Sequence, residues 1–509
     1  MPARPPIAWR VLIALAGTKL LGHLTVALIT PYELHRDELL YLALGQRLRF
    51  WAMDVPPKIA VVANAATATF GDSLFAVRFA PAIIGTAVLM MAVLLARELG
   101  GGRLAQSVAG LAILVNPLFL RSATLLQPVV LDQFCWALGL LAIVRIIRSD
   151  SVGWWVVLGV SAGLGLLSKL SIVFFGTGVA AAMLLTPQRR EYLTFRPYGA
   201  LLVALLVGSA TIVGQMRLGW PVFAQIGALQ ASQLDRITPV DFLSEQLLYG
   251  PATLLGWLGL GALLFAPRLR PFRVIGGTGL VVLLLLMAMQ GKGYYFGPMY
   301  PALFAAGGVA LEQIGRRKLY RTLPYAAVVL IVLYLPIAVP VGMPILQPEA
   351  MASYARTLGM TPALQTNTGG TLPLPQDFAD MLGWNEMVDE VSRVYHALPP
   401  DEQQAAVIAA ANYGEAGAID FYGSRYGLPR AISDHTSYWF FGPGTKPGDV
   451  LIAVGMTPDD LDPHYDHVEL LGRHTNRWAV DEERDVPVYK ATGPAQTLQE
   501  LWPSLGGRF

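Results

Sequence analysis

Long apolar runs separated by short arginine-rich connections fill the chain up to about residue 345, and there the alternation stops. Runs of the length that lets a helix cross a bilayer, about 17 to 25 residues, fall near 11–30, 73–96, 104–121, 131–147, 198–215, 247–266, 274–290, 297–314 and 322–342. The stretch 152–186 accommodates two short spans that turn at Ser168 and Lys169. The pattern therefore predicts a polytopic α-helical membrane region, 1–345, with about eleven spans. The first run follows Arg4 and Arg10 as a signal peptide would, but it is long and lacks a small-residue cleavage site, so it reads as a retained anchor.

Two connections are long. The first, 31–72, holds "RDELLYLALGQRLRFW" and "PPKIAVVANAATATFG", two amphipathic pieces suited to external helices lying along the interface, the second begun by Pro56 and Pro57. The second connection, 216–246, is also amphipathic. After the last run the pattern turns polar. Residues 347–378 are rich in Pro, Thr and Gly and read as a linker; "MVDEVSRVYHAL" reads as a helix, "AVIAAANYGEAGAIDFYG" as strand, turn and helix, and "GDVLIAVGM" as a buried strand. Residues 346–509 are thus expected to form a C-terminal soluble α/β domain.

Composition supports the membrane class: 54% of residues are hydrophobic, 14% are charged, and the mean hydropathy is +0.49. The lone cysteine, Cys135, excludes a disulfide framework and a cysteine metal site. A net charge of +2 with no large basic block argues against nucleic acid as a partner. The connections "RELGGGR", "RIIRSD", "PQRREYLTFRP", "PRLRPFR" and "RRKLYR" share one side, which the positive-inside bias makes cytoplasmic, together with the N-terminus. Thirteen of the 35 acidic residues precede Gln347, and most of these fall on the opposite, external side. An odd number of spans puts the C-terminal domain there too.

Ionisable groups are expensive in a bilayer, roughly 2.5–3.5 kcal/mol each at mid-depth and less near the interface, so those at span ends need a reason. Asp37, Glu38, Asp54, Asp132, Lys169 and Lys292 all fall at one external rim in this topology. The two lysines lie against the positive-inside bias and suit an anionic group such as a phosphate. Arg78, Tyr294 and Tyr295 are candidates beside them. Plainer readings stand next to these: loop acids paired with Arg36, Arg47 or Lys58, snorkelling lysines and an interfacial tyrosine belt.

The order of these motifs resembles a known family. An acidic pair after the first span, the acid of "MDVPPK", "FGDSLFAVRFAPAIIG" leading into the second span, the Asp of "QPVVLD" and "GKGYYFGPMYPALFAAGG" succeed one another as in bacterial GT-C glycosyltransferases. The likeness is to the family 39-like branch, which includes protein O-mannosyltransferases and the aminoarabinose transferases of lipid A. The tail stretches "LPQDFADMLGW", "NYGEAGAIDFYGSRYGLP" and "SYWFFGPG" are similar to those of uncharacterised bacterial relatives.

The resemblance implies inverting transfer of a sugar from a polyprenyl-phosphate-linked donor to an acceptor hydroxyl, on the external face of a bacterial cytoplasmic membrane. Its partners would be that donor, membrane lipid and a glycan, lipid or protein acceptor. It implies Asp37 as general base, Glu38 as its assistant and Asp132 as the second acidic position. Asp54 matches a position implicated in divalent-metal binding, and no other cofactor is implied. Lys58, Arg78, Lys169 and Lys292, with Tyr294 and Tyr295, are the candidates to bind the donor phosphate. Two positions depart from the aminoarabinose transferases, which carry Arg two residues after the acidic pair and Lys just after the acid before the prolines. Here those are Leu40 and Val55, which weakens an aminoarabinose assignment and moves phosphate binding onto other cations. The rival classes are a proton-coupled secondary transporter, expected to hold its acids mid-span in repeated, broken helices, and a non-catalytic membrane scaffold.

Overall fold

The computed structural model describes residue 1 and residues 3–360, 364–366 and 369–506. The predicted apolar runs fall on helices. Among the described residues, four are long and apolar enough to cross a membrane unaided: Trp9–Ile29, Leu74–Glu98, Pro128–Ser149 and Pro267–Ala288. Four bent pairs raise the number to eight if each counts as one span, among them Arg196–Val207 with Ser209–Arg217 (55°) and Lys318–Leu333 with Leu335–Gly342 (43°). Length and composition therefore give a lower count than about eleven, and local breaks are the reason. The 104–121 run splits at Pro117, which lacks an N–H, and the Asn116 side chain caps the new start by accepting from the Leu118 N–H at 3.0 Å. Arg103–Val115, with 13 residues, extends about 20 Å, short of a bilayer core of about 30 Å. The 152–186 run breaks where expected, between Val152–Leu166 and Ile172–Leu184.

Small residues set the helix spacing. A Cβ on Gly259 would meet the Leu303 carbonyl oxygen at 1.9 Å, so Ala252–Phe265 and Tyr300–Ile314 approach backbone to backbone.

The stretch expected to be a linker is packed instead. Pro348–Thr357 is a helix, and Met351, Ala352, Leu372, Leu374 and Phe378 are buried with Tyr32 and Leu125 of the helical region. Apolar residues interleaved with the Pro, Thr and Gly supply that anchorage; positions 361–363 and 367–368 of the stretch lie outside the described residues.

Beyond it stands a five-stranded sheet of order β2-β1-β3-β5-β4, with β1 Val407–Ala410, β2 Ala431–Ile432, β3 Val450–Val454, β4 Tyr465–Thr475 and β5 Asp485–Pro494. β1 pairs in parallel with β2 and with β3, in register Ile408 to Ile452, while β5 runs antiparallel to β3 and β4. β1 and β3 are central and buried throughout, so they read as continuous apolar runs. The sheet does not keep its core to itself. Trp384, Val388, Ile408, Ile419 and Ile452 share one apolar cluster with Leu39, Leu42, Ala43 and Ile59 of the first long connection. Gly417 makes this possible: a Cβ there would meet the Leu39 Cβ at 2.8 Å. The helix Arg36–Gln46, expected to lie along the interface, is therefore covered on several sides, which suits its run of buried Leu39, Leu40, Leu42, Ala43 and Leu44.

Candidate active site

The adjacent acids Asp37 and Glu38 open the helix Arg36–Gln46, and a capping box fixes their directions. The His35 N–H donates to Glu38 Oε2 at 2.8 Å, and the Asp37 N–H donates to His35 Nδ1 at 3.1 Å. Neighbours on a helix point about 100° apart, so with Glu38 turned inward Asp37 remains half-buried. Glu38 is fully buried. Its Oε2 also accepts from Arg78 Nη2 at 3.2 Å, and its Oε1 accepts from the Leu126 N–H at 2.8 Å. Arg78, 1% exposed, donates further to the Glu33 carbonyl at 2.8 Å. Glu38 and Arg78 thus face each other inside the protein: Glu38 fixes, through the His35 N–H, the turn that carries Asp37, while Nε and Nη1 of Arg78 have no hydrogen-bond partner among the described residues.

Asp37 faces a different environment. Its Oδ2 accepts from Gln127 Nε2 at 2.9 Å and its Oδ1 from the Tyr413 hydroxyl at 3.0 Å. Its charge acts on Lys169, Lys292 and Arg121. Lys169 Nζ lies 5.0 Å from the Tyr294 ring centre and 4.5 Å from that of Tyr295, and Lys292 Nζ donates to Gln233 Oε1 at 2.5 Å. Asp132 is buried and held by Trp136 Nε1 at 3.0 Å and the Ser171 hydroxyl at 2.7 Å. Its charge acts on Lys169 too, and it interacts with Lys58. Lys169 is thus the residue common to both carboxylates. Lys58 donates from its Nζ to Cys135 Sγ at 3.5 Å.

Asp54 stands apart. Its Oδ2 accepts from the Ser437 hydroxyl at 2.7 Å and from Gln225 Nε2 at 3.2 Å, and burial pushes its carboxyl above the ordinary value. Protons from hydrogen-bond donors occupy the place of a cation, and among the described residues no group of three or more His, Cys, Asp and Glu side chains could hold a metal ion. The residues around Asp54 do not fit a divalent ion.

The sequence reading did not assign His35, Arg121, Gln127, Asp377, Asp380 or Tyr413 to the site. Arg121 grips Asp377 through both Nε and Nη2. Because His35 Nδ1 accepts a hydrogen bond, its proton is on Nε2, which lies 3.7 Å from both Asp377 and Asp380. Two of the tail stretches singled out by resemblance, "LPQDFADMLGW" and "NYGEAGAIDFYG", contain Asp377, Asp380 and Tyr413.

These acids titrate in opposite senses. Burial alone would raise Asp377, but Arg121 and His35 hold it well below the usual carboxylate range. Burial pushes Asp380 up to about 6; Asp37 and Asp377 push the same way, against His35 and Arg36. A raised carboxyl contributes stability that is complete below its unfolded value, near 3.8, and lost as pH rises through about 6. Asp377 contributes above its unfolded value and loses that only in strong acid. Raising the pH from about 4 to about 7 should therefore lower the unfolding free energy through Asp380 by an amount on the order of 2–3 kcal/mol, and the melting temperature with it. Thermal melts of Asp380→Asn beside wild type check this: the variant's curve should be flatter over that window.

Residues 54–213 match the family model described as dolichyl-phosphate-mannose-protein mannosyltransferase. The chain is similar in structure to ArnT from Cupriavidus metallidurans bound to undecaprenyl phosphate, with 18% identity, TM-score 0.59, and 94% of this chain and 97% of that one covered. The chain has the fold of the GT-C membrane glycosyltransferases. Two other structures with this GT-C fold are also similar. The Archaeoglobus fulgidus oligosaccharyltransferase tethered to an acceptor peptide is 12% identical with TM-score 0.50, over 82% of this chain and 64% of that one. The arabinofuranosyltransferase AftD from Mycobacteria is 14% identical with TM-score 0.52, over 95% and 42%. No curated protein matches by sequence. The GT-C fold and the apolar helices make this a multi-pass membrane protein.

Proposed function

We propose that the protein transfers a sugar, with inversion, from a polyprenyl-phosphate-linked donor to an acceptor hydroxyl on the extracytoplasmic side of a bacterial cytoplasmic membrane, with the N-terminus inside and residues 346–509 forming an extracytoplasmic domain. The observation that carries the reading is one half-exposed carboxylate, Asp37, aimed by Gln127 and Tyr413 and within electrostatic reach of Lys169 and Lys292, in a chain whose fold is shared by ArnT bound to undecaprenyl phosphate.

Asp37 takes the proton of the acceptor hydroxyl as that oxygen attacks the anomeric carbon. The bond from the anomeric carbon to the phosphate oxygen breaks, and its electron pair leaves with the phosphate. Negative charge grows there, and Lys169 and Lys292 are placed to stabilise it more in the transition state than in the bound donor. Tyr294 and Tyr295 hold Lys169 from one side. Tyr413 and Gln127 aim the Asp37 carboxylate, while Asp132 sets the field on the other side of Lys169.

The test is release of free polyprenyl phosphate by the reconstituted protein from a panel of polyprenyl-phosphate sugars, with acceptor extracts varied. Acceptor-dependent release from one donor is the expected result and identifies the sugar. Absence of release from every donor, with the protein folded, would overturn the proposal and make proton-coupled flux the next measurement.

A further inference from the structure

The helix Pro128–Ser149 holds Asp132 near its start and Ile146 and Ile147 near its end, about 20 Å further along at about 1.5 Å per residue. At that far end a cavity of ≈ 600 Å³ is lined by Ile146, Ile147, Leu158, Val179, Met183 and Val274. It is within the size range of small-ligand sites. Four charged residues also line it: Asp150, Arg190, Glu191 and Arg270. The two acids share one partner, since Arg196 pairs with Asp150 and lies 3.6 Å from Glu191; with Arg190 and Arg270 added, positive charge still outweighs negative there. Arg190 and Arg270 are exposed and, among the described residues, neither is seen in an ion pair.

Positive charge is in excess nearby as well. The fully buried Glu98 carboxylate is shared by Arg4 at 2.9 Å, Arg97 at 2.8 Å, Arg145 at 3.0 Å and Arg148 at 3.8 Å, so one negative charge faces four guanidinium groups. Arg148 lies over the Phe272 ring at 5.5 Å, next to Pro271 in the cavity wall. An apolar slot with two unpaired arginines at its mouth and a positive surround matches an amphiphile with an anionic head.

We propose that this cavity binds one anionic glycerophospholipid of the leaflet at that end of the bundle, with an acyl chain in the slot and its phosphate between Arg190 and Arg270. The slot is too small for a chain of many isoprene units, and it lies away from Asp37, so the site is separate from the one proposed for the donor. Its occupation ties the Pro128–Ser149 helix end to the neighbouring 187–193 and 267–274 segments.

Native mass spectrometry of the full-length protein tests this, with titrations of phosphatidylglycerol, of phosphatidylcholine with the same chains and of a polyprenyl monophosphate. Wild type should retain one phosphatidylglycerol in preference to phosphatidylcholine. The variant R190A/R270A should bind it about tenfold or more weakly, and R190K/R270K should recover most of the loss. Both positions are exposed, so the variants should fold. Equal retention of the two phospholipids, unchanged binding by R190A/R270A, or a preference of this site for the polyprenyl monophosphate would each overturn the proposal.

Discussion

Asp37→Asn should slow sugar transfer about 10²- to 10⁴-fold, the usual contribution of a positioned general base, while leaving donor affinity and folding close to wild type. Asparagine keeps the shape of the side chain. Its oxygen still accepts from one of the Tyr413 hydroxyl and Gln127 Nε2, the two groups that now hold the carboxylate. Its amide group faces the other donor, so one hydrogen bond is lost at a net cost of about 1 kcal/mol, too little to unfold the chain. What disappears is proton acceptance. The loss should therefore fall on kcat with the donor KM nearly unchanged, as for an interaction made only in the transition state. Single-turnover release of polyprenyl phosphate, beside a donor-binding measurement on the same preparation, separates the two. A variant that kept turnover within threefold of wild type would move the base to another carboxylate, and Asp132→Asn would be the next variant to assay. The same comparison reads out Lys169, whose loss removes a cation on which both Asp37 and Asp132 act.

Much of the helical architecture was legible because a bilayer imposes length on an apolar run. The turn at Ser168 and Lys169 could be read from the excess length of 152–186. Bends were harder to read, because a hydropathy pattern does not register a broken hydrogen-bond ladder such as the one at Asn116 and Pro117. β4 and β5 carried little apolar signal. β4 exposes Asp466, His467 and Glu469, as an edge strand does to discourage pairing with other chains. The Leu-rich stretch after Asp37 was visibly apolar, but what covers it comes from residues near 388, 408 and 452, and no local pattern announces such partners. The site divides in the same way. Asp37, Lys169, Lys292 and the two tyrosines stood out as polar groups at span ends. Tyr413, 376 positions from Asp37 in sequence, sits in a tail whose composition reads as ordinary soluble protein. Only the resemblance separated the two acids of the opening pair, with Asp37 as base and Glu38 as its assistant; the physical difference between them lies in the helix phase and in a capping box with histidine in the usual place of serine, threonine or aspartate.

That distinction yields the second large expected effect: Glu38→Ala should act on stability rather than on chemistry. Glu38 is fully buried and accepts from the His35 N–H, the Leu126 N–H and Arg78 Nη2. Truncation removes all three bonds and leaves the Arg78 guanidinium, 1% exposed, without its carboxylate. Removing one partner of a buried ion pair costs about 3–5 kcal/mol, more than the pair itself contributes, because the remaining charge is left uncompensated. A drop of that size should appear as a large fall in melting temperature and in the yield of folded protein. Glu38→Ala with Arg78→Met removes the stranded charge and should recover part of the loss, since an apolar replacement for a buried ion pair is often tolerated. Turnover per folded molecule should fall far less than in Asp37→Asn. If Glu38→Ala kept its melting temperature and lost turnover as completely as Asp37→Asn, Glu38 would be acting on the acceptor, and the inward-facing arrangement would not be the one that works. Equal damage to both quantities would come from the cap, because Glu38 anchors the His35 N–H while His35 Nδ1 holds the Asp37 N–H. The first turn of that helix is thus where the stability of the fold and the aim of the proposed base are set by the same hydrogen bonds.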